Sequence, residues 1–414
     1  MERLIHWWFA PKFPDLQTKK VLEYKPESFK NLVNDRIRTW LIHPIKRRLA
    51  KYYLLFLQRF FGIKVLGITG SSGKTTLKEM IADILSTIGE TVATFANIDP
   101  VFNIPTTILK CKPATKYLVL EMGVEYPGDM DFYLWLAKPD VGIITNINST
   151  HTEFLQDLDG VAKEKAKLIQ SLSKTGYAIL NADDKEVVKI SPKTQAKIYW
   201  YNQPDSLALA ENIAVSKDFK TSFNLIIDQE RALVTLPLLG DHFISLALAA
   251  ITVGQIFNIS FENIKSCLEN FKPSPHRMIP IRSKGDIVII DDSYNANPFA
   301  TIQSLKTFSG LGEGRKIFVF GEMKELGNYA VRGHEEVGTF AAKTGVDMIF
   351  SLGDLTLHTL RKAVMGGISK SNTRLFNNKA SLINHLKKSL RPKDLILVKG
   401  SRFMAMEEIV EAMA

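Results

Sequence analysis

Only two cysteines occur in 414 residues, Cys111 and Cys267, with no C-x-x-C pair, which excludes a disulfide framework and a cysteine-based zinc site. Long apolar runs are also missing. The most apolar stretch, Tyr52 to Ile68, is broken by Gln58, Arg59 and Lys64, well short of the roughly 20 apolar residues that a spanning helix needs. The opening Met-Glu-Arg leads into no apolar core followed by small residues, so no secretory signal is expected. No internal repeat, low-complexity segment or nucleic-acid-binding module is present, and the net charge of +10 is therefore not read as nucleic-acid binding. What remains is ordinary globular composition, 45% hydrophobic and 23% charged, at a length suited to two or three domains. A folded enzyme of a reducing cytoplasm is expected.

The charge is local. Residues 1–64 hold 14 Lys/Arg against five Asp/Glu, so nine of the ten net positive charges lie there and the body is almost neutral. This segment reads as short amphipathic helices rich in aromatics (Trp7, Trp8, Phe9, Trp40, Tyr52, Tyr53, Phe56, Phe60, Phe61), with Lys46, Arg47, Arg48 and Lys51 at the start of the last one. A docking helix packed on a catalytic domain is the preferred reading over a membrane-surface helix.

From Lys64 short aliphatic runs alternate with helical patterns: VLGIT, a helix from Lys74, TVATF, YLVLEMG, VGIITNI, a helix around 159–173, and YAILN. Strands alternating with helices predict a parallel, doubly wound sheet. A strand-rich stretch from Ala196 to Leu239 follows, then helices at Ile244–Phe257 and near 261–270, and KPSPH at 272–276 reads as a linker. Beyond it DIVIIDD, a helix from Pro298, KIFVFGEM, a helix near 334–344, DMIFSLG and DLILVKG form a second, smaller α/β domain. The expected division is a basic helical segment at 1–63, a larger α/β domain at 64–272 and a C-terminal Rossmann-like α/β domain at 273–414.

The sharpest local feature is GITGSSGKTT, where a strand ending at Thr69 meets Gly70, Ser71, Ser72, Gly73, Lys74, Thr75 and Thr76 and then a helix. Glycines let backbone N–H groups turn onto phosphate oxygens, and the helix N-terminus adds its positive end. Lys74 suits the terminal phosphates and Thr75 a Mg²⁺ ion. The loop is shorter than the eight-residue pattern, since Ile68 stands where its first glycine would be.

This compressed loop resembles that of the Mur ligase family, and further blocks follow in order: LEMGVEYPGDM, PDVGIITNINSTHTEF, GVAKEKAKLI, DDSYNANP, RKIFVFGEMKELG with His334 after it, and LVKGSR. The resemblance covers residues 64–414. It implies an ATP-dependent, Mg²⁺-requiring amide-bond ligase that acts through an acyl phosphate. It further implies that Glu121 is a Mg²⁺ ligand, that His151 sits on a second Mg²⁺ and that Lys165 is a carbamylated lysine. Arg277 would touch ATP phosphate, while Asp292, Asn295 and Asn297 would line the nucleotide or the catalytic cleft. Read without the family, His151 is a histidine after a strand, Lys165 one of three lysines on a solvated helix face, and DDSYNANP a turn with Pro298 opening a helix.

The C-terminal blocks are most similar to the branch that joins D-alanyl-D-alanine to a UDP-N-acetylmuramoyl tripeptide, and those are the expected substrates, for a monomer. Residues 1–64 do not resemble the domain with which the family grips UDP. Asn97-Ile98-Asp99-Pro100 replaces the family's N-x-N-N, Asn103 stands where glycine is common, and GDHFISLALAA departs at Asp241, Phe243 and Leu246. The alternatives are a ligase for a lipid-linked or other carboxylate, or a nucleotide-binding relative without turnover.

Overall fold

The computed structural model describes residues 41–95 and 99–414. The chain forms two compact units. The first holds the residues up to Ile147 with Leu158–Leu209 and Leu246–Cys267; the second holds Asn148–Asp157, Ala210–Ser245 and Leu268–Ala414.

In the first unit, β1 (Lys64–Thr69), β2 (Thr91–Ala93), β3 (Tyr117–Glu121), β4 (Val141–Ile144), β5 (Tyr177–Asn181) and β6 (Lys197–Tyr201) form one sheet in the order β2-β3-β1-β4-β5-β6. Every pairing is parallel. Val65, Leu66, Ile68, Leu118, Val119, Leu120, Ile143 and Ile144 are buried, as expected of strands covered on both faces. The chain places β2 and β3 on one side of β1 and β4 to β6 on the other. The order thus reverses at β1, the place where doubly wound sheets take ligands beyond the carboxyl ends of their strands. Ile68 pairs with Glu121 and Thr69 with Ile144, so the loops leaving β1, β3 and β4 emerge together.

The second unit has a six-stranded sheet made of β10 (Ile279–Ser283), β11 (Ile287–Asp292), β12 (Lys316–Gly321), β13 (Met348–Leu352), β14 (Thr373–Phe376) and β15 (Leu395–Lys399), in the order β10-β11-β15-β12-β13-β14. Only β10 runs antiparallel to its neighbour. Ile289, Val319, Phe350, Ile396, Val398 and Met406 fill one side of it. A small sheet of β7 (Leu209–Val215), β8 (Thr221–Ile227) and β9 (Glu230–Leu236) accounts for the strand-rich stretch. Along β8, Thr221, Phe223, Leu225 and Ile227 are buried alternately, the period of a half-covered strand. The expected α/β architecture with a smaller Rossmann-like partner is what forms.

Local boundaries differ from the sequence reading in small ways. The strand expected at TVATF stops at Ala93, and the helix expected from Ile244 begins at His242. Of the basic segment, the described part is one helix, His43–Phe61, which ends at Gly62 in the left-handed region at φ 68°. Pro44, Arg47, Ala50, Leu54 and Leu57 form its buried face. Lys46 donates to Thr106 Oγ1 at 2.7 Å, and Tyr53 donates to the Cys111 carbonyl at 2.8 Å. Burial, with the Arg48 charge second, pushes the Arg47 guanidinium down to about 10. The docking-helix reading fits this helix. Residues 1–40, with Trp7, Trp8, Phe9 and Trp40, lie outside the described residues, as do Asn97 and Ile98.

Candidate active site

The loop after β1 is held by the loop after β4. Ser71 N–H donates to the Asn146 carbonyl at 2.9 Å, and Ser72 N–H donates to Asn146 Oδ1 at 2.9 Å. Asn146 Nδ2 and Thr145 Oγ1 donate to the Ser72 carbonyl at 3.2 and 2.7 Å. The approach is close enough that Gly70 has no substitute: it sits at φ 149°, and a β-carbon there would lie 1.8 Å from Thr145 Oγ1. Gly73 is left-handed at φ 80°, and no side chain caps the helix Lys74–Ser86 that follows. A fixed loop on an uncapped helix N-terminus is an anion cradle. Lys74 Nζ donates to the Gly70 carbonyl at 2.8 Å, which keeps the ammonium over the loop. Thr76 is buried in the first turn.

Glu121 ends β3 beside this loop. Thr75 Oγ1 donates to Glu121 Oε1 at 3.1 Å, so a hydroxyl and a carboxylate, both hard oxygen donors, stand side by side at the phosphate cradle. That donor set fits Mg²⁺.

The three lysines of the helix Leu158–Gln170 have different fates. Lys163 is exposed. Lys167 pairs with Glu164 at 2.6 Å and Asp131 at 2.7 Å. Lys165 is fully buried, and its amine is pushed down to about 7, chiefly by burial and then by the Lys74 charge, with Glu164 opposing. Glu164 is itself committed, accepting from Gly128 and Met130 N–H at 3.0 and 3.1 Å. The structure thus brings Lys74, Thr75, Glu121 and Lys165 into one unit around the loop. A buried amine whose pKa falls to about 7 has a substantial neutral fraction at that pH, and the neutral form is a competent nucleophile toward CO₂.

The second unit gathers the other candidates. His151 stands left-handed at φ 56° before the short helix Thr152–Leu155, with Nδ1 2.8 Å from Glu325 Oε2. Thr152 Oγ1 donates to the Leu326 carbonyl at 2.8 Å. At the end of β11, Asp291 accepts from Ser293 Oγ at 2.6 Å and lies 2.7 Å from His276 Nδ1. Asp292 takes Ser304 Oγ and Lys399 Nζ, both at 2.5 Å. Lys399 also donates to the Asn295 carbonyl at 3.0 Å, and Asn295 Oδ1 accepts from Arg402 N–H at 3.3 Å. Asn297 caps the helix Pro298–Ser309, its Oδ1 accepting from Ala300 N–H at 2.8 Å. The Arg277 guanidinium lies 4.1 Å over the Tyr294 ring. His334 is fully buried and accepts from Met323 N–H at Nε2, and burial pushes its pKa down.

Asn146, Glu325, Asp291 and Lys399 were not singled out from the sequence. All four lie inside the quoted blocks or beside them, but nothing local distinguishes them from their neighbours. Of the departures, Asp241 pairs with Lys306 at 2.8 Å, Phe243 is buried, and Leu246 packs where a β-carbon on Gly73 would be. Asn103 is buried, donating to the Phe95 carbonyl at 2.6 Å and accepting from Thr107.

His242, next to Asp241, has a pKa pushed down to about 4 by burial, against the opposing pull of Asp292 and Asp241, with Lys399 and Lys306 adding to the lowering. A histidine depressed on folding binds fewer protons folded than unfolded between about 4 and 6.5. Its contribution is therefore present above pH 6.5 and lost as pH falls toward 4. Melting temperature should drop steeply between pH 6.5 and 4.5, and His242→Gln should flatten that drop. Equal slopes for both proteins in a calorimetric pH series would contradict this.

A doubly wound sheet with a phosphate cradle at its switch point, a Thr-Glu oxygen pair beside it and a buried low-pKa lysine defines a P-loop enzyme that uses a nucleoside triphosphate. Residues 68–254 match the Mur ligase middle domain, and residues 276–402 match the Mur ligase glutamate ligase domain. The UDP-N-acetylmuramoyl-tripeptide–D-alanyl-D-alanine ligase of Escherichia coli (strain K12) is 34% identical over 355 residues, 84% of this chain and 76% of that protein. The ligase of the same name from Bacillus subtilis (strain 168) is 32% identical over 366 residues, 88% and 78% of the two chains. Among solved structures, a MurF from Acinetobacter baumannii superposes with a TM-score of 0.79 at 27% identity, covering 90% of this chain and 80% of that one. The chain belongs to the Mur ligase family.

Proposed function

We propose that this protein is the ATP-dependent ligase that joins D-alanyl-D-alanine to a UDP-N-acetylmuramoyl tripeptide, in the cytoplasm, as a step of peptidoglycan precursor synthesis. The observation that carries the chemistry is the cradle itself: Gly70–Thr76 pinned by Asn146, with Thr75 on Glu121 and Lys165 buried within reach of the Lys74 charge. The relatives carry the choice of substrates.

The loop amides and the helix end hold the phosphates of ATP, and Lys74 meets the terminal one. Thr75 and Glu121 would hold Mg²⁺, which when bound supplies positive charge against the charge that spreads over the phosphoryl oxygens. Lys165 serves as its carbamate. The neutral amine adds to the carbon of CO₂ and loses one proton, which turns a buried amine into an anionic oxygen donor. His151 is a further metal-side group, its Nδ1 held 2.8 Å from Glu325 Oε2, which leaves Nε2 as the ring's other ligand atom. Arg277 steadies phosphate, and Asp292 with Asn295 and Asn297 lines the nucleotide or the cleft.

An oxygen of the tripeptide carboxylate attacks the γ-phosphorus, the bond to the β–γ bridging oxygen breaks, and ADP leaves. The dipeptide amine then attacks the acyl carbon, the carbon–oxygen bond to phosphate breaks, and the amine's proton ends on the departing phosphate. No nucleophilic side chain is required, because catalysis lies in positioning and charge. We propose residues 64–272 for ATP binding and 273–414 for completing the site, with the enzyme acting as a monomer.

The test is phosphate release from ATP by the purified chain with each substrate omitted in turn. Release that needs both substrates, with a pentapeptide product by mass, is expected. ATP binding with no product would leave the family standing and overturn the acceptor.

A further inference from the structure

The helix His43–Phe61 is buried on one side only. On the other, Ile45, Leu49, Tyr52, Leu55, Phe56 and Phe60 are exposed, from 47% for Phe56 to 70% for Phe60. Positions 45, 49, 52, 56 and 60 fall on one helical stripe, and at 1.5 Å per residue the helix is roughly 28 Å long. A face turned to water is normally polar, yet the only exposed charged side chain within this helix is Arg59.

The charges say what such a face can meet. Residues 41–64 hold six Lys/Arg and no Asp/Glu, and Lys46 and Lys51 lie on the helix flanks, held by Thr106 and by the Trp135 ring at 4.2 Å. A second copy meeting this face through the same face would bring no acidic residue from the segment to offset these cations, since a two-fold contact pairs a surface with itself. Residues 1–40 are also net positive, with eight Lys/Arg against five Asp/Glu. A surface that is apolar beneath and anionic at its edge satisfies both halves of the pattern, and among the described residues no helix is long and apolar enough to cross a membrane.

We propose that this face docks on an anionic lipid surface, its apolar and aromatic stripe entering the headgroup region and Arg59, the exposed cation of the helix, meeting lipid phosphates. Leu54 and Leu57 fix the helix to the first unit, so the stripe is presented ready-formed. The inference concerns where the enzyme works and stands apart from its catalytic reading.

Flotation of the full chain with vesicles of phosphatidylglycerol and phosphatidylcholine, against phosphatidylcholine alone, tests it. Partitioning at least tenfold stronger on the anionic vesicles, weakened in high salt, is expected. A Leu49→Glu, Phe56→Glu, Phe60→Glu variant, altered only at exposed positions, should lose at least tenfold of that binding while its lipid-free ATP turnover and melting temperature stay unchanged. A wild type that remains unbound on anionic vesicles overturns the proposal, as does a variant that binds equally. A wild-type dimer in light scattering that the variant disperses would assign the face to a second copy instead.

Discussion

Lys74→Ala should lower ATP-dependent turnover by about a thousandfold or more, a loss of roughly 4 kcal/mol in transition-state stabilisation. The size follows from the reaction. Phosphoryl transfer leaves little covalent work to the protein, so a cation held over the loop by Gly70 supplies stabilisation that no neighbour replaces. Lys165, which feels the Lys74 charge, is buried and pushed toward neutrality. The fold should be untouched, because the loop is pinned through Asn146 and Thr145 and not through the lysine side chain. Steady-state kinetics with a melting curve on the same sample separates the two effects. A variant that folds normally and keeps more than a tenth of the wild-type rate would show that Lys74 does not meet the transferred phosphoryl group.

Lys165→Met should be nearly as damaging, with at least about a hundredfold loss, the range of a single well-placed electrostatic group. Methionine keeps the volume of the buried stem and removes the nitrogen, so loss of activity can be assigned to the amine and not to a cavity. Stability should move the other way. An amine depressed from 10.5 to about 7 on folding is protonated more readily in the unfolded chain across that interval. The free lysine therefore destabilises the fold most at and below pH 7, and the penalty fades as pH rises toward 10.5. The variant should melt above a bicarbonate-free wild type at pH 7, with the gap closing toward pH 10. In ¹³C-bicarbonate the wild type should give a carbamate resonance that the variant lacks. Unchanged turnover in the variant together with no labelled signal would remove Lys165 from the mechanism.

The sequence made the loop legible because its chemistry is local: glycines, lysine and threonine lie within seven residues, between a strand and a helix. Glu121 was singled out by resemblance, through the block LEMGVEYPGDM. Lys165 could be picked from Lys163 and Lys167 only by resemblance. The structure supplies the physical reason: residues two apart on a helix point to opposite sides, and only Lys165 turns fully inward. The groups that hold the site were not legible. Asn146 meets Ser72 across 74 residues of chain, Lys399 meets Asp292 across 107, and Glu325 faces His151 from another block altogether. Such pairings exist only after the strands take their order in each sheet. The exposed face of His43–Phe61 was likewise hidden, since composition shows how many aromatics a segment holds and not which of them the body covers.

The central claim is that the acceptor carboxylate becomes an acyl phosphate, and oxygen tracing tests it most directly. With the tripeptide's reacting carboxylate labelled with ¹⁸O, ATP and D-alanyl-D-alanine, the released phosphate should carry one ¹⁸O atom per amide bond formed. Phosphate released without label alongside the amide product would mean that the carboxylate oxygen never reached phosphorus, and the account of the site would be wrong.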